Sequence, residues 1–148
     1  MKPIRNRQEG YTLAEILIVI TVFLIVITIT TISFRPLLRH FEIEYFFKQL
    51  QHDIAYSQMY AMANYKDVHI RFYPETNLYV ITPSNERSLL QRVYSNNIKI
   101  ELGTLSSSVT FRTTGNILRA GKMYVYHEND IYAFVFLFGK GQTYVEKL

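Results

Sequence analysis

The sequence predicts an α+β fold. A long N-terminal helix, transmembrane in its first half and amphipathic in its second, packs on an antiparallel β-sheet domain. Three observations predict it. Ile16 to Phe34 runs for nineteen residues without a charge, a glycine or a proline. Leu37 to Ala63 repeats apolar residues at three- and four-residue spacing. From Val68 onward the period drops to two, broken at short intervals by turn residues. The chain accordingly divides into residues 1–10, 11–35, 36–65 and 66–148: a short basic leader, the spanning half of the helix, its amphipathic half, and a β-rich globular domain.

A nineteen-residue helix rises about 28 Å, close to the ~30 Å of bilayer hydrocarbon. A secretory signal has a shorter apolar core and a small-residue cleavage site after it; here the run ends in Phe34-Arg35-Pro36. A core helix is the other alternative, but a small domain cannot surround so long an apolar cylinder. Ile, Val and Thr form helices poorly in water. In lipid the need to pair every backbone N–H and C=O within the segment outweighs that preference. Lys2, Arg5 and Arg7 precede the run, and Arg35 and Arg39 follow it, so the basic bias places the N-terminus in the cytoplasm.

Pro36 removes a backbone donor and crowds the preceding turn, which predicts a bend or pause near Ile32 to Pro36; the same proline equally suits the membrane exit. Beyond it Phe47, Leu50, Ile54, Ser57 and Ala61 make one helix face, with Gln49, Gln51, Asp53 and Gln58 at other positions. The expected strands are Val68 to Tyr73, Leu78 to Thr82, Leu89 to Tyr94, Ile98 to Leu102, Val109 to Arg112, Met123 to Tyr126, Tyr132 to Phe138 and Thr143 to Glu146. Pro74 to Asn77, Pro83 to Arg87, Thr114-Gly115-Asn116, His127 to Asp130 and Gly139-Lys140-Gly141 separate them.

Composition narrows the function. With 148 residues, removal of leader and anchor leaves roughly 110 for a soluble domain, enough to fold alone. Half of the net charge of +4 lies in the first ten residues, too little elsewhere to argue for nucleic acid from bulk electrostatics. The absence of cysteine excludes disulfides, thiol catalysis and Cys-type zinc sites. His40, His52, His69 and His127 fall on different elements, without the convergence a metal needs. Ser106-Ser107-Ser108 lacks a nucleophile-elbow setting, and Gly139-Lys140-Gly141 lacks the length of a P-loop. Catalysis and cofactors are therefore not expected. Twelve tyrosines and ten phenylalanines, with Arg71, Arg112, Arg119 and Lys122, leave DNA binding open, although alternating aromatics more often fill a sheet core.

Directly before the span stands Glu9-Gly10-Tyr11-Thr12-Leu13-Ala14-Glu15. This resembles the class III signal of type IV pilin-like proteins and pseudopilins: a short basic leader ending in Gly, an aromatic residue, Thr or Ser, Leu, and Glu at the fifth position after the Gly. The family more often has Phe at position 11 and a larger apolar residue at 14. The resemblance implies cleavage after Gly10 by prepilin peptidase, whose access a side-chain-free residue favours, and N-methylation of the new amine on Tyr11. Thr12 and Leu13 complete the motif. It also implies that Glu15 pairs with the N-terminal amine of a neighbouring subunit and sets axial register. An acidic group at mid-membrane costs about 2.5–3.5 kcal/mol, less toward the interface; the alternative is that Glu15 rests at headgroup level and needs no partner.

The strand order, the Asp53 to Gln58 helix segment and the Phe111 to Asn116 run resemble the GspH-like minor pseudopilins. Within the family the chain looks most like the ComGD-type component of Gram-positive competence pili. That resemblance implies a non-catalytic minor subunit of a DNA-uptake filament, anchored in lipid with its C-terminal domain outside and reaching the cell surface on assembly. Its implied partners are prepilin peptidase, other pilins, an assembly ATPase and a membrane platform protein. A type II-like secretion pseudopilus uses the same parts and remains an alternative. A signal-anchored extracytoplasmic binding protein is another.

Overall fold

The computed structural model describes residues 12–105, 107–139 and 142–148, and of residues 31–38 the backbone alone. One helix, α1 (Leu13–Asn64), precedes eight strands: β1 (Val68–Tyr73), β2 (Leu78–Pro83), β3 (Leu90–Val93), β4 (Ile98–Glu101), β5 (Ser108–Phe111), β6 (Gly121–His127), β7 (Asp130–Phe136) and β8 (Thr143–Lys147). Each lies where the period-two pattern predicts, with ends shifted by at most two residues. Pro74–Thr76 is a short 3₁₀ turn closed by Asn77 in the left-handed region. Pro36 lies inside α1, in the stretch whose side chains are not described.

Contacts divide the chain into two compact units that meet between His40 and Phe41. In the first, every described side chain from Thr12 to Thr30 is exposed. The second holds the core. Its strands form two antiparallel four-stranded sheets, ordered β3-β2-β1-β5 and β4-β6-β7-β8. Chain order alone does not produce this arrangement, because β4 and β5 cross over: β4 leaves the first sheet for the second, and β5 returns to flank β1 (Val68 opposite Phe111).

The predicted helix face is the buried face. Phe47, Leu50, Ile54, Ser57 and Ala61 are all buried, joined by Ile43 and Phe46. Phe47 stacks on Phe134 with ring centroids 6.0 Å apart, and meets the edge of Tyr132 at 5.3 Å. Phe46 packs edge-on against Tyr94 at 5.4 Å. Alternate strand residues complete the core: Val68, Ile70 and Phe72, then Ile98 and Ile100, then Met123 and Val125. Asp53, expected off the face, is in fact only 5 % exposed. Its charge reads as solvent-facing in the sequence, and partners from β2 and β3 hold it inside.

Two turns show why particular residues close the elements. Asn64 ends α1, Tyr65 follows at φ 52°, and Lys66 N–H bonds back to Ala61 O at 3.2 Å. This is the six-to-one bond of a Schellman cap, with tyrosine in the left-handed position that glycine prefers. Replacing exposed Tyr65 with glycine is expected to stabilise the domain by about 1 kcal/mol, read as a higher urea midpoint. After β5, Gly115 turns the chain at φ 77°, and an added Cβ there would sit 2.7 Å from Met62 Sδ. Gln58 Nε2 donates to Gly115 O at 3.2 Å and ties this turn to α1.

Candidate functional site

The described part of the motif forms a helix start. Thr12 is the residue before the first turn of α1, and its Oγ1 accepts from Glu15 N–H at 3.3 Å. Thr12 O accepts from Glu15 N–H at 3.1 Å and Ile16 N–H at 3.2 Å. Threonine followed three positions later by glutamate is the capping-box spacing, in which a side chain satisfies amides that have no helical partner. The carboxylate of Glu15 also lies in the first turn, where the helix dipole favours a negative charge. This local role of Thr12 and Glu15 was available in the T-x-x-E spacing but is masked by the stronger motif reading. Leu13 is exposed beside them. Gly10 and Tyr11 lie outside the described residues.

Behind this cap, Leu13–Thr30 is long and apolar enough to cross a bilayer, and none of it is buried by the rest of the chain. Its threonines do not leave polar atoms open. Thr21, Thr28 and Thr30 donate to the carbonyls of Leu17, Leu24 and Val26 at 2.7–2.8 Å, each four residues back. Such back-bonding satisfies a hydroxyl where no water is available. The segment thus presents an apolar surface with its hydrogen bonds closed internally.

In the second unit the polar groups are structural clamps. Asp53 accepts from Tyr79 Oη at 2.7 Å and from Arg92 Nε at 3.1 Å and Nη2 at 3.4 Å. Burial, then the neighbouring carboxylate, pushes the Tyr79 phenol far above its ordinary range. His127, buried at the end of β6, lies 3.1 Å from Glu42 Oε2, and Asn97 Nδ2 donates to Glu42 at 3.3 Å. His69 sits between Thr110 Oγ1 at 2.9 Å and Ser84 Oγ at 3.1 Å. Among the described residues no three His, Asp or Glu side chains gather as metal ligands. The four basic residues considered for phosphate contact fall on different elements: Arg71 is on β1, Lys122 on β6 over the Tyr124 ring, and Arg112 and Arg119 flank the loop after β5.

The Glu42 clamp carries a pH signature. Hydrogen bonds from Ser95 and then His127 hold its carboxyl below the ordinary 4.5. A carboxylate with a lowered folded pKa stabilises fully above the unfolded value and loses that contribution as pH falls through the folded one. Stability is therefore expected to drop below about pH 4.5, and Glu42→Gln is expected to flatten that part of the profile in urea melts across the window. An unchanged slope in the variant would assign the acid sensitivity elsewhere.

Known proteins resemble the chain in its N-terminal motif, its sequence and its fold. The model of the prokaryotic N-terminal methylation motif matches residues 5–31. Over 142 residues, 96 % of each chain, the sequence is 25 % identical to competence protein ComGD of Bacillus subtilis (strain 168). The fold is similar to the minor pseudopilin EpsH from the type 2 secretion system of Vibrio cholerae, with a TM-score of 0.55 over 72 % of this chain and 97 % of that one, at 10 % identity. It is similar also to the type IV minor pilin FimU of Pseudomonas aeruginosa, with a TM-score of 0.54 over 67 % of this chain and 88 % of that one, at 11 % identity. The chain thus carries a prepilin-type N-terminal motif, a sequence similar to ComGD and the fold of minor pseudopilins. What the chain itself holds is the N-terminal methylation motif and, directly behind it, a helix long and apolar enough to cross a membrane.

Proposed function

We propose that this chain is a pseudopilin, a minor subunit of a competence pilus that serves DNA uptake. The observation that carries the reading is end-to-end similarity to a competence protein, 96 % of both chains aligned. The likeness to the secretion pseudopilin EpsH concerns fold alone, at 10 % identity. On this reading the leader faces the cytoplasm and the globular unit lies outside. Prepilin peptidase cuts after Gly10 and methylates Tyr11. An assembly ATPase and a membrane platform protein then draw α1, bent at Pro36, into the filament, where Glu15 meets a neighbour's N-terminal amine. DNA contact by this subunit itself is the weaker part, since Arg71, Arg112, Arg119 and Lys122 do not share one element.

Two measurements test the proposal. Intact mass of the membrane-extracted protein is expected to give a chain beginning at Tyr11 with one added methyl. Gly10→Val is expected to leave Met1 to Gly10 attached in nearly all molecules, because a branched side chain obstructs the scissile backbone. A wild-type chain that keeps its leader beside active peptidase would instead support a signal-anchored binding protein. Deletion of the gene is expected to abolish transformation and spare protein secretion. The reverse pattern would favour the type II-like pseudopilus.

A further inference from the structure

We infer that the outward face of the first sheet binds a single strand of DNA, with Arg71 and Arg119 on its phosphates and Tyr73 under a base. Resting on the DNA-uptake reading, this gives the subunit a contact of its own with the strand.

Arg71 and Arg119 stand on different elements, but strand pairing brings them to one surface. Val68, Ile70 and Phe72 turn into the core, so His69, Arg71 and Tyr73 face away from it. Arg71 lies opposite Ser108 of β5, and His69 opposite Thr110. Val109 and Phe111 are buried, which turns Ser108 and Thr110 to the same outward side. The His69 ring fixes this alignment, with Nδ1 2.9 Å from Thr110 Oγ1. Two small cavities open on the surface. One, of about 100 Å3, is lined by His69, Arg71, Tyr73, Val80 and Thr82. The other, of about 240 Å3, has Arg119, Thr104, Ser108, Thr110 and Leu118 in its walls. The pairs Arg71–Ser108 and His69–Thr110 join the two cavities across the β1–β5 ladder.

Neither cavity has an acidic residue in its lining. Lys48, Lys66, Arg92 and Lys147 each answer a carboxylate. Arg71 and Arg119 are exposed, and neither forms an ion pair among the described residues. Cations held together without carboxylates favour an anion. Hydroxyls add donors. Thr104 Oγ1 accepts from Lys122 N–H at 3.0 Å, which leaves its own proton uncommitted. The Thr82 hydroxyl meets no partner among the described residues. Arginine and hydroxyl donors on one surface suit phosphate oxygens. Tyr73 asks for a different group. It is 39 % exposed, and its ring packs on no other aromatic ring among the described residues. A free ring beside an arginine is a platform on which a base can stack. A polyol phosphate has no flat group to lay there, and in a duplex the base faces are already covered. A single DNA strand answers both the cations and the ring.

The test uses the full chain in neutral detergent and a fluorescent single-stranded oligodeoxynucleotide of mixed sequence, followed by anisotropy across a salt series. Binding is expected with a Kd on the order of 10 µM near physiological salt. Arg71→Gln and Arg119→Gln are each expected to weaken it roughly four-fold there. Each should also lower the slope of log K against log salt by about 0.7. Tyr73→Ala is expected to cost roughly ten-fold with the slope unchanged, whereas Tyr73→Phe keeps the affinity. Lys99→Gln, which removes an exposed cation of the second sheet, is expected to change neither quantity. Urea midpoints of the same variants check that the sheet is intact. The unlabelled duplex and poly(glycerol phosphate) are expected to compete poorly. The site is overturned by no binding at roughly ten times the expected Kd, or by an equal loss in Lys99→Gln. Wild-type affinity in both arginine variants or in Tyr73→Ala overturns it too, as does equal competition by the duplex or the polyol phosphate. Gene deletion separates the two ideas. Deletion that spares transformation defeats the uptake reading, whatever the oligonucleotide does; deletion that abolishes it, with no strand bound, defeats the site alone.

Discussion

Glu15→Gln and Glu15→Ala are expected to fail alike in filament assembly while both are processed normally. The comparison matters because capping-box spacing after Thr12 offers the Glu15 side chain a local role that the motif did not advertise. Thr12 Oγ1 caps Glu15 N–H, and glutamate at this position belongs to a capping box. Glutamine serves a capping box as well as glutamate does. If Glu15 acted only on its own helix, Glu15→Gln would assemble like wild type, and Glu15→Ala would lose about 1 kcal/mol of local stability. If its charge answers a neighbour's N-terminal amine at the membrane, both variants leave that amine unpaired. An unpaired charge drawn toward lipid costs about 2.5 kcal/mol, which corresponds to on the order of 50-fold less incorporation. Quantitative immunoblots of sheared filaments against membrane pools read this directly. Wild-type incorporation of Glu15→Gln would reassign the residue to capping.

That double role shows what the sequence makes legible and what it hides. Local periodicity was sufficient for the elements: the Phe47, Leu50, Ile54, Ser57, Ala61 stripe is buried as spaced, and the eight strands lie where alternation and turn residues put them. These signals depend on neighbours within a few residues. The partition into two sheets does not, because whether β4 pairs with β3 or with β6 is decided by contacts across tens of residues. The Thr12 cap was local and readable, yet the same residues also fit a processing motif, and one explanation obscured the other. The β3 edge was invisible for a third reason. A strand is an edge only once the sheet order is known, and nothing in Leu90 to Val93 marks it.

Asp53→Ala is expected to destabilise the globular unit about as much as truncating a core residue, for a reason equally distant in sequence. A lone aspartate in an amphipathic helix normally faces water, and its loss there costs almost nothing. Here the carboxylate is the common acceptor for Tyr79, 26 residues away, and Arg92, 39 away. Alanine would leave the Tyr79 hydroxyl, on a side chain 1 % exposed, buried without a partner. Arg92 suffers less, since 41 % of its side chain already reaches solvent and the guanidinium can turn outward. The cost therefore falls near the lower end of that for breaking a buried pair, about 3 kcal/mol. For a domain of this size that is on the order of 15 °C in melting temperature. Urea melts of the full chain in detergent, followed by tyrosine near-ultraviolet dichroism, would measure it. Adding Tyr79→Phe to Asp53→Ala removes the stranded hydroxyl and is expected to recover about 1–2 kcal/mol. Arg92→Ala in the same background is expected to recover nothing. A loss below about 1 kcal/mol for Asp53→Ala would mean that water replaces the carboxylate at no cost, and that the helix is held to the sheets by its apolar stripe alone.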